Sequence, residues 1–400
     1  MRYVLPLACS LAALLGPLAA HPTEARGWTD QKGRTLQGSF LSATETTVEI
    51  RRTDGKFFSI PRATLSKEDN DYIDSRRATQ AEDSKTHRHP MLAGYDPSVT
   101  NFHEPWPDRV GYEGDAPITV IEESPEANRY IYESPHFRFQ SNVILRPSLI
   151  AKVATMFEAS YELHRQVPFN NRRTRSPDAG KFKAKLFETL DQYYAAGGAP
   201  GSTGYYFGRT DEFILPLTSL GVKKVGSGYM FDHTGNNHVF FHEITHQLWA
   251  DIGECAGSWM VEGFAEFMGC APYRNGRFSL IQQPSHALEY ATGYGKDNQG
   301  GRALGKEIQM PRLETLMTMS QAELYQNPNV NYGYGLLLVY YFIYLDGEND
   351  AARFKDCIRA LQEGKDAAAA RAVLLGGRTW EQLEADVSAG FRPKGIRIRF

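Results

Sequence analysis

Between Gly27 and Ile73 apolar and polar residues alternate in short runs. Thr35-Leu36-Gln37-Gly38-Ser39-Phe40-Leu41 and Thr47-Val48-Glu49-Ile50-Arg51-Arg52 have the two-residue period of strands, Asp54-Gly55 is a hairpin signal, and Lys56-Phe57-Phe58-Ser59-Ile60-Pro61 returns. Several short strands in so small a span predict a small β-barrel. From Asp74 to about Ala116 the periodicity lapses into charged, Pro-containing sequence, including Lys85-Thr86-His87-Arg88-His89-Pro90. This reads as a linker, with His87 and His89 as solvated surface residues.

Past Ile118 the pattern changes again. Tyr130 to Phe139 suggests paired strands, Pro147 to Val167 an amphipathic helix, and Lys181 to Leu190 and Glu212 to Leu217 further strands around a Gly-rich turn at Ala196 to Gly204. Asn237 to Asp251 is apolar and free of Gly and Pro, as a buried helix requires. Gly253 and Gly257 end it, and Ser258 is the expected N-cap of a second helix reaching Met268. The remainder reads as helical: Leu313 to Tyr325, Leu336 to Leu345 (apolar nearly all round, hence buried), Ala351 to Leu361, Ala367 to Leu375 and Thr379 to Phe391, with Ile396 to Phe400 as a closing strand. The expected fold class is α+β: a small barrel over residues 26–75, a linker over 76–116, and a domain over 117–400 with a small sheet, a central helix and a helical subdomain.

The chemistry concentrates on two of these helices. In His242-Glu243-Ile244-Thr245-His246 the histidines lie four apart, so they share a helix face with Cβ atoms about 5–6 Å apart and can reach one ion at roughly 2.0–2.1 Å. Glu243 is turned about 100° from His242, which suits a carboxylate beside the metal better than a ligand. In Trp259-Met260-Val261-Glu262-Gly263-Phe264-Ala265-Glu266 two carboxylates share a face. Glu262 completes a His, His, Glu ligand set with a fourth position open, and Glu266 can accept the second N–H of a ligating imidazole.

H-E-x-x-H followed by W-x-x-E-G-x-A-E resembles the gluzincin zinc metallopeptidases, especially their peptidase MA-like bacterial members, over roughly Phe137 to Leu345. The resemblance implies Zn2+ held by His242, His246 and Glu262, Glu243 as general base, Glu266 as the carboxylate behind a ligand, and an edge strand, by position Tyr205 to Leu217, that pairs with the substrate backbone. Tyr332-Gly333-Tyr334-Gly335 is similar to the Y-x-x-G run of zinc aminopeptidases, whose tyrosine hydrogen-bonds the oxyanion; Tyr332 matches by register and Tyr334 is the alternative. The aminopeptidases' G-x-M-E-N segment is missing, so the resemblance favours an endopeptidase. Near the N-terminus, W-T-D-x-x-G-R, V-E-I-R-R-x-D-G-K and I-P-x-x-x-L-S-x-x-D resemble the SLA-homology domain, an SH3-like barrel, over Trp28 to Tyr72, which implies a short peptide ligand for that unit. His233 and His238 precede the motif; His238, one turn before His242, either lines the cleft or packs.

Composition narrows the remaining options. With 42% hydrophobic and 23% charged residues the chain is globular in character, and a net charge of −3 gives no electrostatic case for nucleic acid or an anionic membrane surface. Met1 to Ala20 has a basic Arg2, an apolar run and small residues at Ala19 and Ala20, the layout of a secretory signal peptide; a secreted or periplasmic protein without stable membrane insertion is expected. Beyond that leader stand Cys255, Cys270 and Cys357. Cys255 and Cys270 bracket the Glu262 helix too widely to bridge, which leaves pairing of either with Cys357 or buried thiols. The expected activity is hydrolysis of peptide bonds in a peptide or protein substrate. Two alternatives stay open: an exported binding scaffold with a retained zinc site, and a zinc hydrolase of cell-wall peptide amides.

Overall fold

The computed structural model describes residues 25–43, 47–52, 57–86, 100–174, 180–199, 202–208, 210–226, 228–232, 237–253, 255–293, 300–348 and 350–400. The leader at Met1 to Ala20, the Asp54-Gly55 turn, His87, His89 and His233 lie outside these residues.

Strands β1 (Arg26–Thr29), β2 (Thr35–Ala43), β3 (Thr47–Arg52) and β4 (Phe57–Pro61) pair in order as an antiparallel meander. The strand readings hold, but among the described residues no pairing closes β4 onto β1, so the observed unit is an open four-stranded sheet. Its alternating residues Phe40, Val48 and Ile50 point inward with Trp28, Leu65 and Ile73, and Trp28 Nε1 donates to Gly38 O at 2.9 Å. Helix α1 (Lys67–Thr86) runs into the stretch read as linker. Its Glu, Lys, Arg and Ala residues favour helix locally without an apolar stripe, so hydrophobic periodicity does not reveal it. Residues beyond 100 also join the second unit: Asn101 Nδ2 donates to Val167 O at 2.9 Å, and strand β5 (Arg109–Gly111) pairs with a strand more than 150 residues further on.

The second unit is built on a six-stranded sheet. In chain order its pieces are β6 (Thr119–Ser124), β7 (Arg129–Glu133), β8 (Phe137–Ser141), helix α2 (Pro147–Gln166), β9 (Phe182–Phe187), helix α3 (Leu190–Ala195), β10 (Tyr205–Phe207) and β11 (Glu212–Pro216). The strand order is β10-β11-β9-β8-β7-β6, parallel where β8, β9 and β11 meet and antiparallel elsewhere, which leaves β10 as an edge. The hairpin β12 (Val222–Val225) and β13 (Gly228–Phe231) leads to the motif helix α4 (His238–Leu248), then α5 (Ala250–Gly253) and α6 (Ser258–Gly269). Ser258 is the first residue of α6 and makes no cap; Gly257 holds the N-cap position in extended backbone. After β14 (Tyr273–Arg274), β15 (Arg277–Ser279), α7 (Gln283–Thr292) and β16 (Glu307–Gln309), the helical layer follows: α8 (Leu313–Thr318), α9 (Gln321–Leu324), α10 (Pro328–Tyr344), α11 (Ala352–Gln362), α12 (Ala367–Leu375), α13 (Trp380–Phe391) and the closing β17 (Arg397–Arg399).

Two departures from the expected helices have local causes. The stretch Leu313 to Tyr325 is two helices, because Ser320 forms a capping box with Glu323 and starts a new one. Helix α10 begins eight residues before Leu336, with Pro328 in its first turn, and runs straight through Tyr332-Gly333-Tyr334-Gly335. The glycines there serve packing: a Cβ on Gly263 of α6 would sit 2.4 Å from Gly335 O, and one on Gly335 2.7 Å from Trp259 O. Backbones of α6 and α10 therefore touch at this crossing. Gly335→Ala is expected to lose stability at the upper end of the roughly 1–3 kcal/mol typical of overpacking, since backbone must move; urea denaturation read by circular dichroism measures it.

Helix α4 is wedged between α2 and the sheet. Gln247 Nε2 donates to Lys183 O at 3.0 Å, and Arg173 donates to Gln247 O at 2.6 Å. On the α2 side, His164 Nε2 lies 3.1 Å from Thr245 Oγ1, whose own proton goes to Phe241 O at 2.7 Å, so His164 is the donor. Burial holds His164 down at about 3 against an ordinary 6.5. Below pH 6.5 the unfolded chain therefore takes a proton that the folded chain refuses, and stability falls as pH drops, at about 1.4 kcal/mol per pH unit. Buried Glu243, raised to about 7, pulls the other way over the same range, so the effect is read as a difference: in chelator, the stability of the wild type relative to His164→Gln should fall by about 1.4 kcal/mol per pH unit between pH 6 and pH 4.5, measured by urea denaturation.

Cys270 and Cys357 are buried free thiols and Cys255 is exposed, so the alternative in which all three are buried fails at Cys255. No described helix is long and apolar enough to cross a membrane.

Candidate metal centre

Helices α4 and α6 pack face to face and bring three ligand atoms together. His242 Nε2 and His246 Nε2 are 3.1 Å apart, and Glu262 Oε2 lies 3.3 Å from the first and 3.5 Å from the second. All three residues are buried. Ligands of a tetrahedral ion at about 2.0–2.1 Å are separated by about 3.3–3.4 Å, so this triangle has the dimensions of one face of such a coordination shell. The chemistry of the donors agrees. His242 Nδ1 sits 2.8 Å from Glu266 Oε1, close enough for the carboxylate to attract the ring proton to Nδ1 and leave Nε2 for the triangle. Glu262 Oε2 is buried with no hydrogen-bond donor. Acceptors this close need a proton shared between them or a cation in the triangle.

A second triad, His238, His242 and Glu266, is also close enough to hold a metal ion, but its carboxylate is already engaged. Arg302 grips Glu266 with Nε at 2.9 Å from Oε2 and Nη2 at 2.5 Å from Oε1. The guanidinium on both oxygens already balances that carboxylate's charge, which makes this triad the weaker candidate. This group instead serves the first: Glu266 orients His242, while His238, 3.5 Å from Glu266 Oε2, stacks on Tyr290 at 3.8 Å between ring centres. Burial would raise the Glu266 carboxyl, yet Arg302 and the two imidazoles hold it well below the usual carboxylate range.

Glu243 projects from the same helix to one side of the triangle. Gly204, the residue before edge strand β10, lies against it: a Cβ there would be 3.2 Å from Glu243 Cγ. Both carboxylate oxygens of Glu243 are buried without a hydrogen-bond partner among the described residues. Burial raises its pKa to about 7, against the opposing pull of His242 and His246. Glu262 goes the other way: burial would raise it, but His246 and His242 bring it to about 2. The two carboxylates are thus pushed in opposite directions, Glu262 toward the anion and Glu243 toward neutrality, where proton transfer is efficient.

Two tyrosines roof the triangle. Tyr332 stacks parallel to His242, with 5.9 Å between ring centres and 10° between planes, and Arg302 lies 5.1 Å from its ring centre. Tyr325 donates to Glu262 Oε1 at 3.0 Å, which fixes the ligand carboxylate and leaves Oε2 toward the triangle. Tyr334, the alternative to Tyr332, turns away and donates to Gln309 O at 2.8 Å.

The structure thus gathers His242, Glu243, His246, Glu262, Glu266 and Tyr332 at one place. Arg302 and Tyr325 join them unannounced. Neither stands in a recognisable motif, and Arg302 sits in a segment whose only local signal is Gly300-Gly301, where positive φ values of 75° and 156° turn the chain inward. Compared with known proteins, the chain matches no family model, no curated protein and no solved structure.

Proposed function

We propose that the chain is an exported zinc-dependent endopeptidase of the gluzincin kind. The observation that carries the reading is the pairing of a ligand triangle with a buried carboxylate, Glu243, that neither binds in the triangle nor hydrogen-bonds elsewhere. A site built only to stabilise the fold, as in a scaffold, has no use for such a group. What zinc supplies when bound by His242, His246 and Glu262 is Lewis acidity, drawing the pKa of a coordinated water toward about 7 and polarising the scissile carbonyl. Glu243 takes the proton of the attacking water as the new C–O bond forms, and returns it to the amine nitrogen as the C–N bond breaks. Tyr332 donates to the oxyanion. Edge strand β10, which begins beside Glu243, offers its free edge to an extended substrate. For residues 26–75 the proposed role is an SH3-like docking module with a short peptide ligand; the meander around buried Trp28 supports it.

The test is zinc stoichiometry together with digestion of a mixed peptide library, read by mass spectrometry, for wild type and Glu243→Gln. Internal cuts confined to the wild type are expected. Tyr332→Phe should lower kcat by about 10²–10³-fold with zinc retained. Tyr325→Phe should instead weaken zinc, because its hydroxyl holds Glu262; equal effects of the two on kcat would remove Tyr332 from its role.

A further inference from the structure

A concavity of about 650 Å³ lies apart from the metal triangle and shares none of its residues. That volume is in the range of clefts that hold ligands, roughly 300–1,000 Å³. Phe241, one residue before His242, separates the two: its ring packs on Tyr273 and Phe278 at 5.0 and 4.8 Å between centres, and Tyr273 forms the cleft's wall.

The cleft's charged lip is made by one hairpin. Tyr273-Arg274-Asn275-Gly276-Arg277-Phe278 turns through Asn275 and Gly276, at φ 48° and 80°, the left-handed pair of a two-residue hairpin. That turn sets Arg274 directly opposite Arg277, so both side chains leave the same face. Like charges directly opposite destabilise a hairpin. Only one is offset: Arg277 lies 3.6 Å from Glu113, itself 94% exposed, whereas Arg274 has no carboxylate in ion-pair range among the described residues. Lys152, on α2, likewise has none there, and adds a third cation to the lining. The main chain of the hairpin is tied to its neighbour. Tyr112 N donates to Gly276 O at 2.9 Å, and a Cβ on Gly111 would be 2.3 Å from that same oxygen. The backbone thus keeps two guanidinium groups on one face beside Lys152, a cationic lip set by the fold.

We propose that this cleft binds an acidic stretch of polypeptide. Carboxylates face Arg274, Arg277 and Lys152, and the aliphatic stems of Asp and Glu lie along Tyr112 and Tyr273. Asp115 in the lining and Glu113 at the rim decide for peptide over a uniformly charged polyanion: they repel the latter, but accept the backbone N–H groups a peptide also brings. The proposal stands apart from the peptidase reading; should that reading hold, the cleft grips substrate at a distance from the bond cut.

Binding, not turnover, tests it. Fluorescence anisotropy is measured on the full chain carrying Glu243→Gln, with a fluorescein-labelled peptide of alternating Asp and Glu and its Asn/Gln counterpart. The acidic peptide is expected to bind at least 10-fold tighter, to weaken with added salt, and to lose at least 10-fold in Arg274→Glu/Arg277→Glu. Arg274→Gln should weaken binding several-fold while its melting temperature holds or rises, because the cross-strand repulsion is gone; a merely structural arginine would lower it. Equal binding of the neutral peptide, unchanged affinity in the arginine variants, or capture of a sulfated oligosaccharide or inorganic phosphate while the acidic peptide stays silent would each overturn the assignment.

Discussion

Glu243→Gln is expected to keep one zinc per chain and to lose about 10²–10⁴-fold in kcat, with KM little changed. The substitution preserves the shape of a side chain that packs beside Gly204. It removes only the capacity to accept a proton. The carboxylate is not a member of the ligand triangle, so metal content, read by atomic absorption after gel filtration, should match the wild type. Peptide cleavage at near wild-type rate by the variant would exclude Glu243 as the base, and loss of zinc would mean that it belongs to the coordination shell. The two failures are distinguishable, since one is read in the metal and the other in the rate.

Arg302→Met carries the second large effect, this time on the fold and the metal together. Arg302 and Glu266 are both almost wholly buried, and the bidentate contact is what allows Glu266 to remain charged there. Removing one partner of a buried pair strands the other, at a cost of about 3–5 kcal/mol. Glu266 is also the partner of His242 Nδ1, and disturbing such a contact typically costs 10–100-fold in metal affinity. Urea denaturation measured with chelator isolates the first effect, and competition against a zinc indicator the second. The double variant Arg302→Met/Glu266→Gln should recover much of the stability without recovering the affinity, because a neutral amide no longer needs the guanidinium yet serves His242 poorly. Full stability in the single variant would show that water or another donor already neutralises Glu266.

How far the sequence reveals this site depends on how far apart its members lie along the chain. His242, Glu243 and His246 are legible because one helix fixes their geometry, and Glu262 with Glu266 because a second helix follows after a short turn. Tyr332 is legible only through a likeness of pattern, and its helix is misjudged at the start because Gly333 and Gly335 look like a loop until Gly263 is seen against them. Arg302 and Tyr325 lie 36 and 63 residues from the carboxylates they contact, and nothing local marks them. Residues 100–116, read as linker, are similar: Asn101 and Val110 are bound by partners distant in the chain, which periodicity does not register. At the N-terminus the strands are legible from alternation, but barrel closure is a matter of pairing between sequence ends, and the described residues form an open meander.

The buried carboxylates around the triangle also fix a charge balance. Glu262 and Glu266 are held as anions, Arg302 returns one positive charge, and Glu243, raised to about 7, supplies or withholds one more as it titrates. The balance around the triangle therefore runs from one negative charge to two, and Arg302 sets where it starts: a neutral residue at that position would leave one more negative charge there.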